Sequence, residues 1–201
     1  TSTSIANALG YAKARDLTNG KGNIVAVIGD GSLSGGLAME ALNNAGDFKG
    51  NLIILVNDNQ MSIAENHGGL YRNLAELRAT NGQAENNFFK TFGLDYKYLE
   101  NGNDIESLIH LFEEVKDIDH PIVLHIHTEK GRGYQPALEN KEAFHWHMPF
   151  DLETGQSKVI DSGKSYSSVM LDYMDKKVSE GLPLVAINAA IPGIFGLKQF
   201  A

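Results

Sequence analysis

The residue best placed to do chemistry in the first part of the chain is Asp30. It is the one charged residue of the glycine-rich segment GDGSLSGG, at positions 29–36, which directly follows an apolar run at positions 24–28. Glycine-rich turns after strands commonly hold phosphate groups, and most do so with a lysine or with backbone amides. A carboxylate fits there if a metal ion lies between it and the phosphate.

A second polar cluster, Asn57-Asp58-Asn59, follows another apolar run at positions 52–56. The order strand, glycine loop, helix, strand predicts a βαβ unit with parallel strands. The C-terminal ends of its strands lie side by side, where open α/β sheets bind ligands. Mg²⁺ prefers oxygen ligands and takes one or two carboxylates beside phosphate oxygens. The two clusters together predict a metal-diphosphate site, although Asp30 alone fits a simple turn before a helix equally well.

Hydrophobic periodicity predicts an α/β fold with a mostly parallel sheet flanked by helices. The predicted strands are 23–28, 52–56, 96–98, 122–126 and 184–187, and the predicted helices are 4–16, 37–45, 85–92, 104–115 and 166–179. The first two strands are expected to be buried on both faces. Residues 57–73 and 128–158 are expected to be irregular. In the helix at 104–115, the residues expected to face inward are Ile105, Leu108, Ile109 and Phe112.

The amino-acid composition limits the kinds of partner and of binding site that the chain can have. The 201 residues carry 17 Lys and Arg against 25 Asp and Glu, a net charge of −8, with 42% apolar residues and no cysteine. The acidic balance argues against nucleic acid as the main partner. The lack of cysteine excludes disulfides and thiolate metal sites and fits a cytoplasmic protein. We expect no membrane span and no signal peptide. A composition change predicts two domains, 1–160 and 161–201, with both ends truncated.

Several motifs give a family resemblance. GDGSLSGG followed by NLIILVNDNQMSIAEN resembles the signature of thiamine-diphosphate enzymes, a GDG followed one βαβ crossover later by an asparagine. TSTSIANALG, NDNQMSIAENHGGL, HTEKGRGYQPA, FHW and PFDLETG are similar to motifs of one family in that group, the 1-deoxy-D-xylulose-5-phosphate synthases. These stretches cover most of residues 1–157. YSSVMLDYMDKKVSEGLPLVAINAAIPG, at positions 166–193, resembles only the opening helix and strand of the pyrimidine-binding domain of such enzymes.

The resemblance implies a site. Magnesium would be bound by the side chains of Asp30 and Asn59 and by the backbone carbonyl of Met61. Ile63 would pack near the thiazolium ring of thiamine diphosphate. The residues implied to contact the diphosphate are Thr1, Ser2, Thr3, Gly31, Ser32 and Lys130. Lys130 would also lie near the substrate, and His145 would handle protons or orient the substrate at the reacting centre.

The implied activity is decarboxylation of pyruvate and transfer of its two-carbon unit to glyceraldehyde 3-phosphate by a homodimeric transferase. The product is a precursor of isoprenoids and of thiamine. A transketolase-type ketol transferase and an inactive cofactor-binding fragment are the alternatives. A Rossmann-like protein without thiamine ranks lower, because the chain lacks a GxGxxG with a downstream ribose-binding acid.

The chain departs from the family pattern at four points. The Gly-His expected before Thr1 is absent, Glu129 replaces a lysine, and the segment between Leu70 and Phe88 is shorter than in most members. The glutamate that activates the cofactor's aminopyrimidine would belong to the second domain and is also absent.

Histidines are the other candidates for chemistry. His125 and His127 are predicted to share one face of a strand, which suits core packing or a place beside the cofactor better than a metal pair without a third ligand. His145 and His147 flank Trp146 in a segment that we interpret as a substrate lid. His67 fits either solvent or the cofactor.

Overall fold

The sheet that carries the site is built from four parallel strands of the first 130 residues. In a computed structural model, which describes residues 1–159, 163–188 and 196–197, the chain divides into two compact units, residues 1–130 and 131–201. The strands of the first unit are β1 (Val25–Gly29), β2 (Leu52–Asp58), β3 (Asp95–Leu99) and β4 (Pro121–His127). Its helices are α1 (Ser4–Leu17), α2 (Asp30–Leu33), α3 (Gly36–Gly46), α4 (Gly69–Ala79) and α5 (Ile105–Val115), with a 3₁₀ turn at Phe89–Phe92.

The strand order is β1-β2-β4-β3, and every neighbouring pair is parallel. The predicted α/β fold with a parallel sheet is therefore confirmed. Gly29 at the end of β1 pairs with Asn57 of β2, and Asp58 of β2 pairs with His127 of β4. The C-terminal ends of three strands thus meet at one edge of the sheet, next to the segments that contain Asp30 and Asn59.

Alternating residues of β2 enter two hydrophobic cores, one on each face of the sheet. Ile54 and Val56 belong to the core formed with α1, α3 and α4, whereas Ile53 and Leu55 belong to the core formed with α5. The strand is buried along its whole apolar run. The prediction that this strand is buried on both faces is confirmed.

The same prediction is wrong for the first strand. Val25 and Val27 of β1 are 42% and 57% exposed, whereas Ala26 and Ile28 between and beyond them are buried. Val25 and Val27 are exposed because β1 is an edge strand of the sheet. Helix α5 covers β2 and β4 on that face of the sheet and does not cover β1. An apolar run does not reveal by itself how many of its faces are covered.

Helix α5 has the predicted bounds but a different buried face. The side chain of Asp104 caps it by accepting a hydrogen bond from the Ser107 N–H at 2.8 Å, as its residue type suggests. Leu111 and Val115 are its buried residues, whereas Ile105 is 68% exposed and Ile109 is 53% exposed. Leu108 and Phe112 are partly buried. The prediction that Ile105 and Ile109 face inward is wrong.

Two segments between β2 and β3 also differ from prediction. Residues 57–73, predicted to be irregular, contain the start of α4, which is stabilised by burial of Leu74 and Leu77. The predicted helix at 85–92 shrinks to the 3₁₀ turn Phe89–Phe92. The side chain of Asn87 accepts the N–H groups of Phe89 and Lys90, so helical structure begins only after it.

The second unit contains α6 (Gln135–Glu139), a 3₁₀ turn at Ala143–His145 and α7 (Tyr166–Ser179). A capping box between Ser165 and Ser168 starts α7 at the predicted residue. The described residues 182–188 form no strand, so the strand predicted at 184–187 is wrong; Val185 and Ile187 are exposed there. The domain bounds 1–160 and 161–201 stay a prediction. Over the described ranges, no helix is long and apolar enough to cross a membrane.

Candidate functional site

Asp30 begins the one-turn helix α2 immediately after β1, and its side chain is turned into the protein. It is 2% exposed. The Gly31 N–H donates to its Oδ1 at 2.8 Å, and the side-chain amide of Asn66 donates to its Oδ2 at 2.9 Å. The carboxylate is therefore fixed in orientation by two donors, one from its own helix and one from the segment after β2.

Burial is the main cause that raises the pKa of Asp30 to about 7, and the nearby charge of Asp58 adds to it. The hydrogen bond from Gly31 opposes this shift. A buried carboxylate beside another carboxylate is costly to ionise unless a positive charge accompanies it. The electrostatics of the site therefore favour a bound cation.

The segment after β2 forms a closed loop that presents Asn59 and Met61. Gln60 between them has a φ of +68°, in the left-handed region that non-glycine residues rarely adopt. The Met61 N–H donates to the side-chain oxygen of Asn59 at 3.2 Å, and an isolated bridge joins Met61 to Glu65. This turn sets the angle between the two predicted metal ligands.

Close approach explains a glycine at position 31. A Cβ at Gly31 would lie 2.8 Å from the Cβ of Ser62 and would overlap the Ser62 hydroxyl. Ser62 in turn donates a hydrogen bond to the side-chain oxygen of Asn66 at 2.6 Å. The glycine segment and the loop after β2 are thus in direct contact, as the two-cluster prediction requires.

Ser2 and Lys130 also reach this edge of the sheet. The Ser2 hydroxyl donates to the Ser32 carbonyl at 2.7 Å, and a Cβ at Gly35 would overlap the Ser2 side chain. The Lys130 ammonium group donates to the Ser62 carbonyl at 2.7 Å. The structure therefore brings both residues to the loops that hold Asp30, while Thr1 and Thr3 beside Ser2 are exposed.

The three residues of the Asn57-Asp58-Asn59 cluster have different hydrogen-bond partners. Asn57 accepts a hydrogen bond from the Thr128 hydroxyl at 2.6 Å. Asp58, 1% exposed, forms an ion pair with Arg78 and a 2.9 Å hydrogen bond with His125. Burial pushes the pKa of Asp58 upward, but the bond to His125 and the charge of Arg78 outweigh it and lower that pKa to about 2. Asn59 is the cluster member whose side chain remains within the loop itself.

Sequence reasoning missed three of these partners. Asn66, Arg78 and Tyr96 were assigned no role, yet each contacts a buried polar group: Asn66 contacts Asp30, Arg78 contacts Asp58, and the Tyr96 hydroxyl lies 2.8 Å from Nδ1 of His125. The signal for Asn66 was its place in the NDNQMSIAEN segment. Nothing in the local sequence points to Arg78 or Tyr96, because their partners are 20 and 29 residues away.

The histidines have separate environments. His125 is fully buried against Asp58 and Tyr96, whereas Nδ1 of His127 lies 3.1 Å from Glu100 and its Nε2 lies 3.0 Å from the Gln60 amide. His67 is exposed. Over residues 1–159, 163–188 and 196–197, no three His, Cys, Asp or Glu side chains are grouped as a metal site would need. The side chains of His125 and His127 contact different partners.

The loops fit magnesium and a diphosphate by the chemistry of their donors. The Asp30 carboxylate, the Asn59 amide oxygen and the Met61 carbonyl are all hard oxygen donors, which Mg²⁺ prefers, and they leave coordination positions for phosphate oxygens. The space beside Gly31 is narrow enough that a side chain would collide with Ser62. Ile63 lies half-buried in the same loop.

His145 belongs to the second unit, where it ends an exposed 3₁₀ turn. Its neighbour His147 has a packing role that the lid interpretation did not foresee. The His147 ring stacks on Phe144 with ring centroids 4.8 Å apart and meets Phe150 at 5.0 Å. Tyr134 packs on the same two phenylalanines.

The family model described as 1-deoxy-D-xylulose-5-phosphate synthase matches residues 1–86 and 78–128. The two matched segments overlap at residues 78–86, within the segment between Leu70 and Phe88 that is predicted to be shorter than in most members. A solved structure of a thiamin diphosphate-dependent enzyme from Mycobacterium smegmatis aligns with a TM-score of 0.47 and 20% identity, over 64% of this chain and 22% of that chain.

Curated relatives align with the full length of the chain. A 1-deoxy-D-xylulose-5-phosphate synthase of Syntrophotalea carbinolica is 38% identical over 237 residues, and one of Geobacter metallireducens is 40% identical over 241 residues. A relative of the same name from Listeria monocytogenes is 38% identical over 208 residues. All three alignments include 100% of this chain, which spans 37%, 38% and 34% of the respective relatives.

Proposed function

This chain belongs to the 1-deoxy-D-xylulose-5-phosphate synthase family, and on that basis we propose that its first unit binds the diphosphate of thiamine diphosphate through Mg²⁺. We further propose that the complete enzyme decarboxylates pyruvate and transfers the two-carbon unit to glyceraldehyde 3-phosphate. The chain spans just over a third of the length of its curated relatives. The second proposal therefore concerns this chain together with the remainder of such an enzyme.

The buried carboxylate of Asp30 carries the proposal. It lies at the C-terminal end of β1, it is held by two hydrogen bonds, and its ionisation is opposed first by burial and then by Asp58. A divalent cation would remove that penalty. Hard oxygen donors on the adjacent loop, from Asn59 and Met61, support the choice of Mg²⁺.

The residues proposed to hold the cofactor are those of the two loops. Asp30, Asn59 and the Met61 carbonyl bind Mg²⁺, and Ile63 packs against the thiazolium ring. The residues proposed to contact the diphosphate are Thr1, Ser2, Thr3, Gly31, Ser32 and Lys130. Thiamine diphosphate supplies, when bound, the nucleophilic carbon and electron sink that a keto acid needs to lose CO₂.

Two residues are proposed to act on the substrate. The Lys130 ammonium group donates to the Ser62 carbonyl at 2.7 Å, so its positive charge lies beside the proposed metal loop. His145 is proposed to hold or move a proton at the reacting centre, in keeping with its place in the FHW motif. A homodimer and a cytoplasmic location complete the proposal.

A calorimetric titration of thiamine diphosphate into the chain with MgCl₂ tests the binding proposal. Asp30→Ala should weaken binding more than about tenfold, because it removes a direct metal ligand. Asp117→Asn, at an exposed position distant in sequence from both loops, is the matched control and should bind as the unchanged chain does. Equal affinity of Asp30→Ala and the unchanged chain would reject the metal assignment.

Turnover assays separate the three alternatives, which are a synthase, a transketolase-type enzyme and an inactive cofactor-binding fragment. Release of CO₂ from pyruvate that depends on glyceraldehyde 3-phosphate supports the synthase, whereas turnover of a sugar-phosphate donor without CO₂ release supports a transketolase-type enzyme. Cofactor binding without either reaction supports the cofactor-binding fragment. The partial span of the relatives favours that third result for the chain assayed alone.

A further inference from the structure

Behind the proposed metal loop lies a buried polar chain that the proposed function does not use. It runs from Tyr96 on β3 through His125 on β4 to Asp58 at the end of β2, and Arg78 at the end of α4 joins it at Asp58. His125 is fully buried and Asp58 is 1% exposed. Buried polar groups of this kind are costly to maintain unless each is satisfied, so their arrangement needs an explanation.

Both oxygens of Asp58 are engaged, and they serve different parts of the structure. Oδ2 receives Arg78 and the His125 Nε2 at 2.9 Å. Oδ1 accepts the N–H of Gln60 at 3.0 Å. The backbone carbonyl of Asp58 also accepts the Thr128 N–H at 2.9 Å, which ties the strand end to the segment after β4. Asp58 therefore connects the interior to the turn that follows it.

Gln60 is the strained point of that turn. Its φ of +68° lies between the two residues proposed as metal ligands, Asn59 and Met61. A left-handed conformation at a non-glycine residue costs about 1 kcal/mol or more and persists only when surrounding contacts fix it. The Oδ1 of Asp58 and the Asn66 N–H, which donates to the Gln60 carbonyl at 3.2 Å, are contacts that do so.

The orientation of His125 follows from its two partners. Asp58 is paired with a guanidinium group that is always charged, so its carboxylate accepts and the His125 Nε2–H donates. The Tyr96 hydroxyl lies 2.8 Å from Nδ1 and forms a hydrogen bond with it, which holds the ring from its other side. Phe89 stacks on Tyr96 with ring centroids 5.6 Å apart and holds it in place.

We propose that His125 is a positioning residue for metal binding: through its Nε2–H it fixes Asp58, which holds the Gln60 turn and so sets the places of Asn59 and Met61. Arg78 acts on the same carboxylate oxygen and has the same role. This inference rests on the proposed function, because it assumes that Asn59 and Met61 bind the cation. Groups that orient metal ligands from behind typically change metal affinity by about 10- to 100-fold.

Electron paramagnetic resonance of Mn²⁺, used in place of Mg²⁺ with thiamine diphosphate, tests this role. His125→Leu removes the donor, and we expect affinity for Mn²⁺ to fall by at least about tenfold, with a changed spectrum of the bound ion. His125→Gln keeps an N–H where Nε2 lies and should restore affinity to within about threefold. His110→Gln on the exposed face of α5 is the matched control and should leave affinity and spectrum unchanged.

Each outcome decides the inference. Unchanged Mn²⁺ affinity in His125→Leu, or an equal loss in the Leu and Gln variants, overturns it. If His125→Leu does not fold, Arg78→Leu, at the partly exposed end of α4, is measured in its place. Unchanged Mn²⁺ affinity in Arg78→Leu also overturns the inference. A wild-type chain that binds no Mn²⁺ with thiamine diphosphate overturns the proposed function and this inference with it, whereas binding that no variant weakens overturns the inference alone.

Discussion

The side-chain amide of Asn66 donates a hydrogen bond to Oδ2 of Asp30 at 2.9 Å, although 36 residues separate them in the chain. The Ser62 hydroxyl donates to the amide oxygen of Asn66 at 2.6 Å, which turns the NH₂ group of Asn66 toward the carboxylate. The neighbouring loop therefore orients Asp30 through contacts within the protein itself. Preorganisation of this kind lowers the cost of assembling a metal site.

Removal of the Asn66 amide should loosen this arrangement. We expect Asn66→Ala to weaken Mg²⁺ and thiamine diphosphate binding about tenfold, as loss of a ligand's supporting hydrogen bond does. Its cost in folding stability should be about 1 kcal/mol. Calorimetry and urea denaturation measure the two effects. Asn44→Ala on α3, whose amide donates to the Glu40 carbonyl at an exposed position, is the control, and equal binding by both variants would contradict the assigned role.

The pKa of Asp30 predicts a pH dependence of the metal-free chain. Burial, followed by the charge of Asp58, raises this pKa from 3.8 to about 7. Between these values the folded chain holds a proton that the unfolded chain has released, so this group makes the folded state more stable as the pH falls through that window. Above the folded pKa the carboxylate is ionised in both states, and its burial destabilises the fold.

Asp30→Asn removes this titration. In EDTA the variant should be more stable than wild type at about pH 8, by roughly 1 to 3 kcal/mol, and should lack the Asp30 contribution to the slope between about pH 7 and pH 5. Urea denaturation at several pH values measures both. The other titrating groups are shared, so the difference between the two proteins isolates Asp30. Parallel stability curves for wild type and variant would disprove the raised pKa.

The contact between Gly31 and Ser62 predicts opposite effects of alanine at two glycines. Gly31→Ala would place a Cβ against the Ser62 side chain and force the two loops apart, so both stability and cofactor affinity should fall. The stability loss should be about 1 to 3 kcal/mol. Gly10 lies within α1 with open space at its Cβ position, and Gly10→Ala should stabilise the fold by about 0.5 to 1 kcal/mol. Thermal unfolding distinguishes them, and a harmless Gly31→Ala would refute the close approach.

Helix α5 offers a test of which face is buried. Leu111→Ala should cost about 2 to 4 kcal/mol, because Leu111 packs into the core formed with β2 and β4. Ile105→Ala on the same helix should change stability by less than about 0.5 kcal/mol, because Ile105 is exposed. Chemical denaturation of both variants provides the comparison. A larger loss of stability in Ile105→Ala than in Leu111→Ala would instead support the buried face that the sequence pattern predicts.

Local sequence was sufficient to predict several elements and to place the segments after β1 and β2 side by side. The sequence pattern gave the bounds of α7, and Asp104 marked the start of α5. The juxtaposition of the segment after β1 with the segment after β2 followed from connection lengths, since a short βαβ unit must place the ends of its strands together. These features are local, or they depend on a rule of chain connectivity that local patterns satisfy.

The tertiary structure decided which faces are covered and which polar groups meet. Val25 resembles Ile53 in sequence context, yet it is exposed because its strand is at the edge of the sheet. The predicted helix at 85–92 was lost to the Asn87 side chain, which accepts the backbone N–H groups where the helix would continue. Burial depends on neighbours far along the chain, and no local periodicity contains that information.

The sequence by itself determined that Asp30 and Asn59 lie at one edge of a parallel sheet, because strand order and short connections require it. Only the tertiary structure decided that Asp58, which precedes Asn59 in the Asn57-Asp58-Asn59 cluster, turns inward. Arg78 and His125 come from distant parts of the chain. The charge of Arg78 balances the Asp58 carboxylate, and the His125 ring bonds to the same oxygen, at a position that is buried from water. The different roles that we propose for Asn59, as a metal ligand, and for Asp58, as its support, depend on these long-range contacts.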